Sequence, residues 1–299
     1  AGSYTTGGDK DTRTVCDACP AGSACDGSSQ VAVCPSGKFS AAGSITCSEC
    51  GADNKYSTIA GFTGASACAT CFVGYHTSGG STNSRTACAK CTAGNACDGT
   101  NKQTPCVVGK YADAGRRECS ACGEDHLYAD TTGLSQCKTC KAGTFTSGGT
   151  ATTRSLCSAC LAGSTCDGSS SQKQCAAGTY SAASASACTN CGNDKLYSSA
   201  GADKCTACAA GSFTSENTVN TRSKCSTCLT GSSCDGSSTV TVCPRGTYAN
   251  TGGTACADCG DDKKYAASTG QTKCEVCAAG SRTGGGTSTR REYCTTCAA

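Results

Sequence analysis

Methionine and tryptophan do not occur in this 299-residue sequence, and there are only five Phe, four Pro and two His. Leu and Ile are sparse as well. Residues of these apolar types normally fill a core, so one large apolar interior is excluded. No apolar run approaches about 18 residues, which excludes a membrane-spanning helix. Charge of one sign is not concentrated anywhere: the net charge is +3 and the Lys and Arg are scattered. That leaves no electrostatic footprint for nucleic acid or for an acidic membrane surface. Asn-x-Ser/Thr acceptors are missing, with Asn83, Asn217, Asn220 and Asn250 each just failing the pattern. N-linked glycans are therefore not expected, while the Ser/Thr-rich loops leave O-linked glycans open. No signal peptide is visible and the sequence begins at Ala1, so the chain is expected to be processed or a fragment.

What is present is cysteine, at 34 of 299 positions. Such a density points to a disulfide scaffold or a metal–thiolate protein, stabilised by cross-links or ions instead of a core. The stretch "CDACPAGSACDGSSQVAVCP" at 16–35 returns, little changed, from Cys88, Cys157 and Cys225. The spacing is C-x2-C-x5-C-x8-C-x12-C-x2-C-x(13–17)-C-x2-C-x16, and only the bracketed gap varies. This defines tandem repeats. The end of a preceding repeat occupies 1–15. Repeat 1 is 16–87, with Cys16, Cys19, Cys25, Cys34, Cys47, Cys50, Cys68 and Cys71. Repeat 2 is 88–156, with Cys88, Cys91, Cys97, Cys106, Cys119, Cys122, Cys137 and Cys140. Repeat 3 is 157–224, with Cys157, Cys160, Cys166, Cys175, Cys188, Cys191, Cys205 and Cys208. Repeat 4 is 225–293, with Cys225, Cys228, Cys234, Cys243, Cys256, Cys259, Cys274 and Cys277. Cys294 and Cys297 open a fifth at 294–299.

Other residues keep step with the cysteines. Gly37, Gly109, Gly178 and Gly246 follow a cysteine by three, as a tight turn with positive φ requires, and precede Phe39, Tyr111, Tyr180 and Tyr248. Each aromatic is expected to cover a neighbouring disulfide. Gly74, Gly143 and Gly211 mark further modules. "CDG" at Cys25, Cys97, Cys166 and Cys234 reads as a turn. Asp53, Asp125, Asp194 and Asp262 lie three after a cysteine, each followed at three by Tyr56, Tyr128, Tyr197 or Tyr265. Arg13, Arg85, Arg154, Arg222 and Arg291 lie three before one. An Asp–Arg pair can fix one module against the next, but the usual fate of such charges is to face water, and the sequence alone favours that. Strands of about five residues or fewer, no amphipathic helix and local contacts describe the expected fold. It is a class of small disulfide-rich repeats in an elongated array of β-ribbons and turns, without a large hydrophobic core.

Three chemistries compete for the cysteines. Cys47, Cys50, Cys68 and Cys71 have the spacing of a four-cysteine zinc site. Against zinc, the other cysteines fall outside such a foursome, and His76 and His126 occupy non-equivalent, exposed-looking positions. A redox C-x2-C belongs at a helix start, with one tuned site, whereas this sequence has thirteen such pairs and no βαβ pattern. No other catalytic grouping is present; the Gly-rich "GGGTSTR" at 284–290 reads as a loop. Disulfides are the favoured reading, in an oxidising compartment. Eight cysteines per repeat allow 105 connectivities. Short sequential loops such as Cys34–Cys47 and Cys71–Cys88 are expected, each worth about 3 kcal/mol. By translation Cys16 and Cys297 then lack partners; if instead each eight-cysteine repeat closes on itself, Cys294 and Cys297 are left over, and either way the array is expected to continue in the same chain or in a neighbouring molecule.

The modules "CPSGKFSAAGSITCSEC", "CAAGTYSAASASACTNC" and "CPRGTYANTGGTACADC" resemble cysteine-rich repeats of growth-factor-receptor and tumour-necrosis-factor-receptor type. The whole chain is similar to ciliate immobilisation (surface) antigens, in its tandem C-x2-C units, Ser/Thr/Ala/Gly filler and "CxAGxxCDG"-like text. That resemblance implies a cell-surface coat protein on a glycolipid anchor, with the small residues Ala298 and Ala299 near a processing site. No catalytic residue, cofactor or metal is carried over. The expected function is a non-enzymatic extracellular coat protein. A subunit of an end-to-end filament is the alternative, a zinc–thiolate array a lesser one and a ligand-binding receptor a third. The expected partners are copies of itself, and a membrane only through a lipid anchor; nucleic acid and small-molecule substrates are not expected.

Overall fold

The computed structural model describes residues 2–58 and 64–298. Among these residues there is no helix; the regular structure is 34 strands of two to four residues, paired in twos. Short strands follow from the sequence, because Gly or Cys interrupts every apolar or β-branched run before it can lengthen. The residues pack as two compact units, Ala1–Cys140 with Thr146–Cys157, and Lys141–Phe145 with Ser158–Ala299.

Both units are built from one cycle of four hairpins, each with its own disulfide. A tight hairpin pairs Ser23–Ala24 with Ala32–Val33, stapled by Cys19–Cys25 at a sequence separation of 6. A medium hairpin pairs Lys38–Phe39 with Ser48–Glu49, stapled by Cys34–Cys47 at 13. A variable hairpin pairs Lys55–Tyr56 with Ala69–Thr70, stapled by Cys50–Cys68 at 18. A long hairpin pairs Tyr75–Ser78 with Ala87–Lys90, stapled by Cys71–Cys88 at 17. All are antiparallel. Sixteen disulfides follow this order through the chain, including Cys106–Cys119, Cys140–Cys157, Cys160–Cys166, Cys191–Cys205 and Cys243–Cys256. Cys16 and Cys297 are unbonded and exposed.

A lone two-stranded hairpin is marginal in water, so each is held by its neighbours. The glycine three residues after the cysteine occupies the third position of a turn, as in Lys38 N–H to Pro35 O at 3.1 Å and Thr179 N–H to Ala176 O at 3.1 Å. The φ of Gly37 and Gly178 is 87° at both, which the turn demands and only glycine adopts cheaply. The glycine N–H then donates into the next hairpin: Gly37 to Ser57 O at 2.9 Å and Gly178 to Ser198 O at 2.9 Å.

The interior is made of sulfur and small side chains. Among the described residues the buried apolar side chains are cysteines plus Ala112, Ala129, Ala249 and Ala266. Phe39, Tyr111, Tyr180 and Tyr248 stay half-buried on the first strands of the medium hairpins. Buried hydroxyls complete the packing. Ser40 Oγ donates to Ser23 O at 2.8 Å, and Ser181 Oγ donates to Ser164 O at 2.8 Å. Where repeats 2 and 4 carry Ala112 and Ala249 instead, the position is simply filled by a methyl group.

Candidate functional site

The most specific side-chain arrangement in the molecule is a joint between each variable hairpin and the long hairpin after it. In the first repeat the Arg85 guanidinium pairs with Asp53 at 2.6 Å, and Thr77 Oγ1 donates to the Asp53 backbone carbonyl at 2.6 Å. Gly51 N–H donates to Asn83 O at 3.0 Å, and Ser57 N–H to Arg85 O at 3.1 Å. The same contacts recur at Asp125 with Arg154 and Thr146, at Asp194 with Arg222 and Thr214, and at Asp262 with Arg291 and Thr283. The ion-pair distances there are 3.1, 2.8 and 2.8 Å. The charges predicted to face water instead pair, because Thr77, Thr146 and Thr214 are buried and pull the Asp backbone under the Arg side chain. These threonines were not singled out from sequence, although each follows a cysteine by six.

The tight hairpin of the following repeat caps the joint. Ser238 donates its N–H and its hydroxyl to Asp194 Oδ2, at 2.9 and 2.7 Å, and Asn101 N–H approaches Asp53 Oδ2 at 3.4 Å. Burial of Asp194 opposes its ionisation, but the Ser238 N–H, the Arg222 guanidinium and the Ser238 hydroxyl outweigh it and hold the carboxyl below its ordinary value. A depressed folded-state pKa contributes stability that is fully present above the unfolded value of about 3.9 and is lost as pH falls through the folded value. The joint is therefore expected to remain ionised at pH 4, and a carboxyl NMR titration that protonates Asp194 above pH 4 refutes this.

The last joint is open. Asp262 is 72% exposed, against 24% for Asp194, and Asp262, Cys277, Thr283 and Arg291 line a cleft of about 440 Å³. Exposure sets what each pair contributes. Arg222→Met is expected to cost about 2 kcal/mol, since it leaves a half-buried, hydrogen-bonded carboxylate unpaired, and Arg291→Met under about 1 kcal/mol. Denaturant unfolding of the two variants checks the difference, and equal losses contradict it.

The cysteines separate cleanly. Cys47, Cys50, Cys68 and Cys71, the spacing-based zinc foursome, are divided among three disulfides, with Cys34, with each other and with Cys88. Among the described residues no group of three or more His, Cys, Asp or Glu is placed to hold a metal ion. In every internal C-x2-C the first cysteine closes one hairpin and the second opens the next, as Cys188 bonds Cys175 while Cys191 bonds Cys205. His126 is exposed beside Glu124 at 3.4 Å. His76, expected to be exposed, is half-buried, with Nε2 3.3 Å from Gln103 Nε2, because the long-hairpin strand carries it against the next tight hairpin. The Asp residues of the CDG turns cap their own turns. Asp235, for example, accepts from Ser237 N–H and hydroxyl and pairs with Lys195 at 2.9 Å. The loop at 284–290 closes by Arg290 N–H to Thr287 O, an ordinary turn. Ala299 lies outside the described residues. No protein-family model matches this chain, and no curated protein is significantly similar to it.

Proposed function

We propose that the chain is a non-enzymatic structural protein of an extracellular surface coat. Among the described residues the fold is a helix-free tandem repeat cross-linked by sixteen disulfides, an architecture suited to an oxidising, extracellular environment. The observation that carries the reading is the serial pairing: sulfur is spent on joining each hairpin to itself, and within each unit successive hairpins interlock. A dithiol–disulfide oxidoreductase needs a C-x2-C whose two sulfurs bond each other, and in every internal C-x2-C of this chain the two members bond outward. The resemblance to ciliate surface antigens supports the coat role and a lipid anchor. The end-to-end filament is the second reading, favoured by the regular recurrence of one hairpin cycle.

Thiol and zinc content, measured together on native protein denatured without reductant, is the first test. Thiol far below the cysteine content and no zinc are expected. Abundant thiol released with stoichiometric zinc overturns the reading. Antibody labelling of intact, unpermeabilised cells tests the location, and electron microscopy of native material separates a coat of short particles from continuous filaments.

A further inference from the structure

We propose that the fourth repeat holds a site for a small oxyanion group, phosphate or sulfate, gripped by the ammonium groups of Lys264 and Lys273 and by the Tyr248 hydroxyl. The site is independent of the coat reading. The cleft lies between two hairpins. Thr247–Tyr248 pairs with Ala257–Asp258, and Lys264–Tyr265 pairs with Glu275–Val276. Gly246 N–H donates to Ala266 O at 2.9 Å, which fixes one hairpin against the other. Tyr248, Lys264 and Lys273 line about 150 Å³ of space together with the bonded pair Cys259 and Cys274. That is the room of roughly five waters, which admits a tetrahedral oxyanion.

The acids around this cleft are already engaged, and the cations are not. Asp258 pairs with Arg290 at 3.4 Å and Asp262 with Arg291 at 2.8 Å. Asp261 accepts from Lys263 N–H at 2.8 Å, and Glu275 accepts from the Tyr265 hydroxyl. Glu275 stands opposite Tyr265 in the ladder and Lys264 opposite Val276, so carboxylate and ammonium leave the ribbon on opposite faces. Among the described residues no hydrogen bond or ion pair holds the Lys264 or Lys273 ammonium or the Tyr248 hydroxyl. Two like charges on one cleft repel. An oxyanion between them removes that repulsion and accepts a charge-assisted hydrogen bond from each. The disulfide-stapled walls need no reordering, so binding has only the two lysine side chains to immobilise.

The arrangement is particular to this repeat. In repeat 2 the two lysine positions carry Leu127 and Gln136. Repeat 3 keeps one cation, Lys204, but has Leu196 for the other. In repeat 1 Ala67 stands at the second position, and Lys55 at the first is committed to Thr70 Oγ1 at 2.5 Å. The fold therefore tolerates apolar or uncharged residues at both places, and the lysine pair is not something the hairpin needs in order to form.

The test titrates the full-length chain with sodium phosphate and, separately, sodium sulfate, at constant ionic strength because exposed charges are screened by salt. Lysine and tyrosine side-chain signals are followed by NMR. Saturable shifts at Lys264, Lys273 and Tyr248 are expected, with one ion bound per chain. Lys264→Leu and Lys273→Gln should each weaken binding about tenfold and Tyr248→Phe about threefold, as charged and neutral donors are lost. Sister hairpins carry these same residues, as Leu196, Gln136 and Phe39, so the variants are expected to fold, and unchanged backbone amide spectra verify it. Lys173→Gln, on another hairpin, should bind as the parent does. Glucose 6-phosphate separates the two sources of the group: binding as tight as that of inorganic phosphate assigns the site to an esterified oxyanion, and weaker binding to the free ion. Shifts that do not saturate and are shared by lysines along the whole chain overturn the proposal, as do Lys264→Leu and Lys273→Gln variants that bind like the parent.

Discussion

Replacing Cys208 and Cys225 together by serine is expected to cost about 3 kcal/mol, against about 2 kcal/mol for the Cys228 and Cys234 pair. The difference comes first from loop length. The first disulfide closes a sequence separation of 17 and the second one of 6, and the entropy removed from the unfolded chain grows with the logarithm of the loop. Context adds to it. Cys208 N–H donates to Lys195 O at 2.8 Å and Gly236 N–H to Ser212 O at 3.0 Å, so the Cys208–Cys225 staple aligns the ribbon that brings Arg222 and Thr214 to Asp194. The loss should stay local, because the hairpins contact chiefly their neighbours in the cycle, and stability in such arrays is close to a sum of nearest-neighbour terms. Native-state hydrogen exchange resolves this. Amides of Ser212–Ser215 and of the turn at Ser237 should lose protection, while those of the hairpin stapled by Cys259–Cys274 keep theirs. Uniform loss along the whole chain, or equal costs for the two pairs, contradicts the account.

The period and the hairpins were legible because cysteine spacing is a direct record of loop length. The invariant x12 and x16 gaps marked Cys34–Cys47 and Cys71–Cys88, both of which are bonded. Cys16 and Cys297 are unbonded, as translation of that pairing requires. The joints were less legible. Asp53 and Arg85 stand 32 positions apart, and nothing in a linear pattern says that Thr77 draws the Asp53 backbone beneath the guanidinium. A hydroxyl that donates to a backbone carbonyl leaves no charge or hydrophobic signature, so Thr77, Thr146, Thr214 and Thr283 were hidden among the many Ser and Thr of the loops. The same blandness concealed the interior. Four alanines and buried serines make a core only because sulfur fills the rest, and a scale built on Leu, Ile and Phe burial does not see it.

Gly178→Ala is expected to cost more than about 3 kcal/mol, while Gly192→Ala, in the next turn of the same unit, costs about 1 kcal/mol. Both glycines have positive φ, 87° and 71°, so both variants carry the left-handed penalty of about 1–2 kcal/mol. The surroundings separate them. A Cβ on Gly192 meets nothing nearer than Asn190 O at 3.8 Å, whereas on Gly178 it falls 2.0 Å from Thr221 O and 2.5 Å from Thr221 C. Those are backbone atoms of the long hairpin that carries Arg222, and they cannot yield without moving the hairpin. The glycine is also pinned on both sides, by its N–H to Ser198 O at 2.9 Å and by Cys191 N–H to its own carbonyl at 3.2 Å. A methyl group at Gly178 therefore has to open the contact between successive hairpins, and Arg222 should leave Asp194 as it does so. Denaturant unfolding gives the costs, and a rise in the Asp194 carboxyl pKa reports the displaced arginine. Equal costs for the two variants, or an unchanged Asp194 titration in Gly178→Ala, mean that the close approach of the hairpins is not what requires glycine there.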